Sequence, residues 1–336
     1  MQLRRLGKTG LQVSVIGFGG IPIQRVSYNQ AAKVVEAAVA GGINFIDTAR
    51  AYTDSESKLG DIIGDYRNKL IIATKSMARS KQDMIRDIDI SLKELKTDFI
   101  DLYQLHNVKD EGSLEKVLAP GGALEALQDA KNCGKLRFIG VTGHIPDILV
   151  KAIRTGCFDT VQVPFNPVET AALDELLPLA CEMNIGTIAM KPFAGGAFKN
   201  KAACLKFILN NGLTTTIPGM DEVSQVAENI TAGQADFILS GEEKNLLAEE
   251  MELLGRKFCR RCEYCQPCPR GIDIPTIFLL EAYWTRYGLK KWAVERYQPM
   301  PAKISDCIDC GECEEKCPYS LPIREMLKEA GFHLKK

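Results

Sequence analysis

Residues Leu70 to His106 read LIIATKSMARSKQDMIRDIDISLKELKTDFIDLYQLH. Two short runs rich in branched and aromatic residues, LIIATKS and FIDLYQLH, flank a longer stretch with helical character. Each run is nearly continuously apolar, the pattern of a strand buried on both faces, and such strands pair in parallel through helical crossovers. Outward from this unit the same beat recurs in VSVIGFGG (13–20), INFIDTA (43–49), FIGVTGH (138–144), TVQVPFN (160–166), GTIAMKPF (186–193) and TTTIPGM (214–220). Segments between them, such as NQAAKVVEAAVAGG (29–42) and AALDELLPLACEMN (171–184), repeat apolar residues at three and four positions. Eight strand–helix units predict a closed (β/α)8 barrel over residues 1–240. A doubly wound open sheet is the alternative, but the first run continues as FGGIPIQ without the G-x-G-x-x-G that opens a dinucleotide-binding helix.

The 336 residues exceed what one barrel needs, so a second, smaller domain is expected. The stretch beginning GEEKNLLAEEMELLG predicts a helical connector over 241–257, leaving a cysteine-rich domain over 258–336. Hydrophobic content of 46% with 25% charge suits a globular protein with a large core. Forty-two basic against 43 acidic residues give a net charge of −1 and no electrostatic reason for nucleic acid or an anionic membrane as partner. The N-terminus lacks a long apolar signal region, and no run of about 18 apolar residues occurs. The expected setting is cytoplasmic, with small molecules and proteins as partners.

Chemistry in such a barrel sits at the carboxyl ends of the strands. Asp47 closes FIDTA, Tyr52 follows five residues on, Lys75 ends ATKS and His106 ends LYQLH. Singly, each has an ordinary structural explanation as a helix cap, a packed ring or a satisfied core histidine. Together, in order, spacing and strand context, they resemble the Asp, Tyr, Lys, His tetrad of the aldo-keto reductase family. The resemblance spans most of residues 1–235, through LGKTGLQVSVIGFGG, GINFIDTARAY, GKLRFIGVTG, VQVPFNP and IPGMDEVSQVAEN.

It implies that Tyr52 gives a proton to a substrate carbonyl as hydride arrives from a nicotinamide, with His106 orienting the carbonyl, Lys75 activating the phenol and Asp47 supporting Lys75. It also implies cofactor contacts: Gln162 and Asn166 at the nicotinamide carboxamide, Gly195, Gly196, Pro218 and Gly219 in phosphate-holding loops, and Thr142, Gln225 and Asn229 at neighbouring positions. A helix beginning near Asp221 would add its positive dipole end. Three positions depart from the family's usual pattern: Thr142-Gly143 stand for Ser-Asn, Met190 for a stacking tyrosine, and Gln225 for an arginine that meets a 2′-phosphate. The choice between NADPH and NADH is therefore open, and flavin is a possible replacement. Lys75 as a Schiff-base lysine in an aldolase-like barrel, or a non-catalytic nucleotide-sensing or electron-carrier protein, are further alternatives.

Of twelve cysteines, Cys133, Cys157, Cys181 and Cys204 are scattered and expected as inert core residues, while eight form two runs after residue 258. CIDCGECEEKCP sets Cys307, Cys310, Cys313 and Cys317 before a proline in the ferredoxin spacing for iron–sulfur ligation. CRRCEYCQPCP spaces Cys259, Cys262, Cys265 and Cys268 by two residues throughout, a variant found in aldo-keto reductases with ferredoxin-like tails. Two 4Fe–4S clusters are expected, the last cysteine of each run crossing to the other: Cys259, Cys262 and Cys265 with Cys317, and Cys307, Cys310 and Cys313 with Cys268. Zinc is the alternative, although structural zinc normally pairs two C-x₂-C knuckles across a longer loop. IPTIFLLEAYWTRYGLKKWAVERY between the runs predicts a helical ferredoxin-like domain, with a ferredoxin or other one-electron carrier as partner.

Overall fold

The computed structural model describes residues 1–255 and 257–335. They divide into two compact units, Met1–Pro192 with Lys201–Ser240, and Phe193–Asn200 with the chain from Gly241 onward.

The first unit opens with an antiparallel hairpin, β1 (Leu3–Arg5) and β2 (Gln12–Ser14). Eight parallel strands follow: β3 (Phe18–Gly19), β4 (Phe45–Asp47), β5 (Ile71–Ser76), β6 (Ile100–Leu105), β7 (Leu136–Thr142), β8 (Thr160–Pro164), β9 (Gly186–Met190) and β10 (Thr215–Thr216). Their sheet order is sequential from β3 to β10. The ends meet through Gly17 N–H to Thr216 O at 2.8 Å and Gly19 N–H to Pro218 O at 2.9 Å, which closes the barrel. Closure needs a glycine at position 19, because a Cβ there would stand 2.7 Å from Ile217 O.

Every residue of β5 and β6 is buried, which explains their unbroken apolar reading. The helix Lys81–Glu94 between them starts where Ser80 accepts from Asp83 N–H, a cap worth about 1 kcal/mol. It turns Met84, Ile88 and Ser91 inward at helical spacing.

VSVIGFGG does not form one strand as expected. Val13 and Ser14 belong to the hairpin, whereas Phe18 and Gly19 form β3. The hairpin residues Leu6, Leu11 and Val13 join Phe45, Ile71, Leu102, Ile188 and Ile217 in one cluster that plugs the amino-terminal end of the barrel. The expectation for the lone cysteines also needs correction: Cys204 is buried, but Cys133 and Cys181 are exposed on the outer helical layer, where a small residue meets no packing constraint.

The second unit is helical. Its described helices include Gly241–Gly255, Ile274–Thr285, Lys290–Tyr297 and Ile323–Leu334. The long stretch read as helical is two helices, interrupted at Gly288, whose φ of +67° suits glycine. Ile272, Ile277, Leu280, Ala293, Leu327 and Ala330 form its core, against which Cys259, Cys268, Cys307, Cys313 and Cys317 pack. Phe193–Asn200, the excursion after β9, joins this unit: the N–H groups of Lys199 and Asn200 both donate to Glu250 at 3.3 Å. Among the described residues no helix is long and apolar enough to cross a membrane.

Candidate active site and cysteine cavities

Asp47 is the last residue of β4, Lys75 lies at the end of β5, and His106 directly follows β6. Parallel register therefore brings three side chains to one end of the barrel. Asp47 and Lys75 are almost wholly buried, at 2% and 1% exposure, and Lys75 Nζ donates to Asp47 Oδ1 at 2.5 Å and to Thr48 O at 2.8 Å. The Lys75 ammonium lies 5.1 Å from the centre of the Tyr52 ring, which in turn stands edge-on to His106 at 6.0 Å between centroids.

The loop bearing Tyr52 is anchored on both sides. Arg50 donates to buried Glu56, which also accepts from Thr74 at 2.6 Å and Ser91 at 2.9 Å. Between these anchors Thr53 takes a left-handed backbone, φ +40°, of the kind that collects at functional sites.

Burial opposes the Lys75 charge, but Asp47 and the Tyr52 hydroxyl outweigh it and hold the ammonium above its ordinary value. Burial pushes the Asp47 carboxyl up, against the charge of Lys75 and hydrogen bonds from Lys75, Gln104 and Gln162. His106 is pushed down to about 3, first by burial and then by Lys75 and Arg79, and its Nδ1 has no hydrogen-bond partner among the described residues. The imidazole is neutral at physiological pH and offers hydrogen bonds without charge.

Because the folded value lies below the ordinary 6.5, the unfolded chain takes up this proton first. The His106 contribution to stability is full above about 6.5 and is lost as the pH falls toward about 3. Nitrogen NMR of histidine-labelled protein should therefore show a neutral His106 ring at pH 5. An imidazolium signal titrating near 6.5 at that residue would refute this assignment.

Gln104 escaped the sequence reading. Fully buried in β6, it donates from Nε2 to Asp47 Oδ2 at 3.2 Å, so two amides as well as one ammonium address that carboxylate. Room for it depends on Gly140 in β7, where a Cβ would meet Thr160 Oγ1 at 2.4 Å and Gln104 Cγ at 2.9 Å. The available signal was a lone amide inside the apolar run FIDLYQLH.

The other anticipated contacts separate. Thr142 and Gln162 pair across β7 and β8 and are buried at the same end as the tetrad. Asn166 spends its amide locally, donating to Lys191 O at 3.0 Å and Glu169 at 2.6 Å and accepting from Val168 N–H. Pro218 and Gly219 sit where the barrel closes, and Asn229 is buried in the helix Val223–Gln234. Gln225 caps that helix, accepting from Asp221 N–H at 2.9 Å and donating to Asp221 Oδ1 at 3.0 Å. Gly195 and Gly196 have φ of +66° and +76° and belong to the second unit, where Tyr287 lies beside them.

In the second unit none of the cysteines forms a disulfide. Cys268, Cys307, Cys310 and Cys313 line one cavity, with Cys265 on its wall. Cys259, Cys262, Cys265 and Cys317 line another. Both are otherwise walled mainly by Ile, Leu, Pro and Phe side chains. Among the described residues no three Cys, His, Asp or Glu side chains converge tightly enough to hold a single ion, and the sulfurs ring cavities instead.

Comparison with known proteins follows the same division. The model of the Aldo/keto reductase family matches residues 15–203, and that of a 4Fe-4S dicluster domain matches residues 258–322. L-galactose dehydrogenase of Arabidopsis thaliana is 31% identical over 283 residues, covering 69% of this chain and 88% of that protein. The 6-dehydroglucose reductase of Novosphingobium aromaticivorans is 34% identical over 224 residues, 57% of this chain and 69% of that protein. An aldo-keto reductase of Bacillus halodurans in its holo form superposes with a TM-score of 0.65 at 23% identity, covering 74% of this chain and 96% of that one. An aldo-keto reductase of Klebsiella pneumoniae in complex with NADPH gives 0.62 at 23% identity, over 74% and 94% of the two chains.

Proposed function

The chain belongs to the aldo/keto reductase family, and from that premise we propose that it transfers hydride between a nicotinamide cofactor and a carbonyl or alcohol substrate. The observation that carries this reading is the convergence of Tyr52, Lys75, Asp47 and His106 at one end of the barrel. NADPH or NADH, when bound, supplies the hydride that reaches the carbonyl carbon.

The protein's part is to handle the proton on the carbonyl oxygen. Tyr52 donates it from its hydroxyl. A free phenol titrates near 10 and is a weak acid at neutral pH, so a neighbouring ammonium that favours the phenolate makes the donation easier. Lys75 supplies that charge, and Asp47, steadied by Gln104, keeps the ammonium protonated and in place. His106, neutral, orients the carbonyl oxygen by a hydrogen bond. The same pairing speaks against a Schiff-base role, which needs Lys75 as a free amine. We assign cofactor contacts to Gln162 and Thr142, which lie side by side, and none to the Gln225 amide, which is committed to its helix cap.

The cysteine cavities suit two 4Fe–4S clusters, whose chemistry when bound is the storage and passage of single electrons. We assign Cys259, Cys262, Cys265 and Cys317 to one and Cys268, Cys307, Cys310 and Cys313 to the other, which supports a ferredoxin or other one-electron carrier as partner.

Anaerobically purified protein should hold about eight irons per chain. It should oxidise NADPH or NADH only when a carbonyl compound is supplied. Zinc in place of iron, or about four irons with the Cys259–Cys268 run empty, would refute the pair of clusters. No cofactor oxidation over a broad carbonyl panel would refute the reductase.

A further inference from the structure

The ring of His106 meets Tyr52 edge-on at 6.0 Å, and its buried Nδ1 has no hydrogen-bond partner among the described residues. Its position therefore depends on the main chain that carries it. The N–H groups of that segment are satisfied on one side: His106 donates to Ser76 O at 2.9 Å, Asn107 to Thr142 Oγ1 at 2.9 Å and Val108 to Thr142 O at 2.8 Å. The carbonyls are satisfied on another. Nη2 of Arg79 donates to His106 O and to Asn107 O, at 2.8 Å each. Consecutive carbonyls diverge in an extended strand, and these two reach one nitrogen because Asn107 turns left-handed, φ +54°. A non-glycine residue keeps that backbone only where its surroundings hold it there.

Arg79 is itself firmly seated. It lies in the short connection between β5 and the helix Lys81–Glu94. Before it, Ser76 Oγ accepts from Ala78 N–H at 2.9 Å and donates to Asp87 in that helix. At Arg79 itself, the carbonyl accepts from Ala123 N–H at 3.0 Å, and after it Lys81 N–H donates to Gly121 O at 2.7 Å. With its backbone pinned, the side chain reaches back to the end of β6, and Nη1 adds a bond to Ala78 O at 3.3 Å. Burial works against the guanidinium charge, and Asp110 offsets part of that cost. A half-buried cation is thus spent on main-chain carbonyls, to which a charged donor binds more strongly than a neutral one.

We propose that Arg79 is a positioning residue for the reaction: by clamping the carbonyls of His106 and Asn107 it holds the His106 imidazole against Tyr52, where the substrate carbonyl is oriented. The assignment rests on the reductase reading above. Arg79 touches none of the reacting atoms and acts through His106 alone, so its effect on turnover disappears when His106 is removed.

A double-mutant cycle with His106→Phe tests this, read as kcat/KM for a carbonyl compound with NADPH. Arg79→Met should lower kcat/KM by about 10–10²-fold, the cost of a misplaced reacting geometry, with NADPH affinity unchanged. Arg79→Lys, which keeps a charged donor on a different reach, should lose about threefold. In the His106→Phe background either substitution at Arg79 should cost less than about twofold. Arg79→Met within about twofold of wild type, or the same loss with and without His106, overturns the proposal. Should Arg79→Met fail to fold, the Arg79→Lys arm of the cycle decides by the same criterion. A second measurement needs no turnover: the nuclear Overhauser contact between the Tyr52 and His106 rings should be present in the wild-type protein and lost in the Arg79 variant. Its retention there overturns the clamp. If it is lost while the wild-type protein reduces no carbonyl compound, the clamp stands and the reductase reading fails.

Discussion

Tyr52→Phe should lower carbonyl turnover by about 10²–10⁴-fold while leaving cofactor affinity nearly unchanged, because the substitution removes the proton donor and keeps the ring. The ring's packing beside His106 and Lys75 is preserved, so the loop keeps its shape between the Arg50–Glu56 anchors. Loss of one hydroxyl interaction should change stability by only about 1 kcal/mol. Steady-state rates under anaerobic conditions, beside a cofactor titration, separate these effects. Near-wild-type turnover would remove Tyr52 from the chemistry and with it the tetrad.

Lys75→Met should be the most destabilising single change in the site. Asp47 would be left buried with two amide hydrogen bonds and no cation. Removing one partner of a buried pair costs about 3–5 kcal/mol. That is a large share of the roughly 5–15 kcal/mol that holds a typical domain folded. Without Lys75 the folded carboxyl lies above its unfolded value of 3.8, because burial is the largest influence on it. The folded variant then binds the proton more readily than the unfolded chain, so its stability falls as pH rises through that range. Urea melts should show Lys75→Met more stable at pH 5 than at pH 8. Asp47→Asn combined with Lys75→Met should recover much of the loss, since it removes the unpaired charge. A Lys75→Met protein as stable as wild type at pH 8 would mean that water, not Lys75, satisfies Asp47.

The 4Fe-4S domain could be anticipated from the cysteine runs because their spacing is a property of covalent neighbours: two residues between sulfurs let consecutive side chains turn toward one compact object. Asp47, Lys75 and His106 were legible for a related reason. In a parallel barrel every strand points the same way, so polar residues at strand ends reach one rim whatever the detailed packing. The apolar runs and helical periodicities likewise record local burial on one face or both.

Other features were written only in contacts between distant residues. VSVIGFGG carries no mark of its division between a plug and a barrel strand, which follows from Leu6 and Leu11 packing beneath Ile188 and Ile217 and from Gly19 meeting Pro218. Gln104 could be told from a solvent-facing amide only once β6 had Asp47 two strands away and Gly140 beside it. The amides of Asn166 and Gln225 were free to serve a cofactor until folding committed them to Glu169 and Asp221. Lys191, His144 and Asn107 look like three unrelated polar residues, spread over 84 positions, until three strand ends bring them together. What the sequence determined by itself was period, strand-end chemistry and cysteine spacing, all set within a few residues by covalent geometry and local burial. Which side chains share a hydrogen bond or a charge was decided only by the closed barrel, because those energies depend on distances of about 3 Å between residues that chain connectivity leaves far apart.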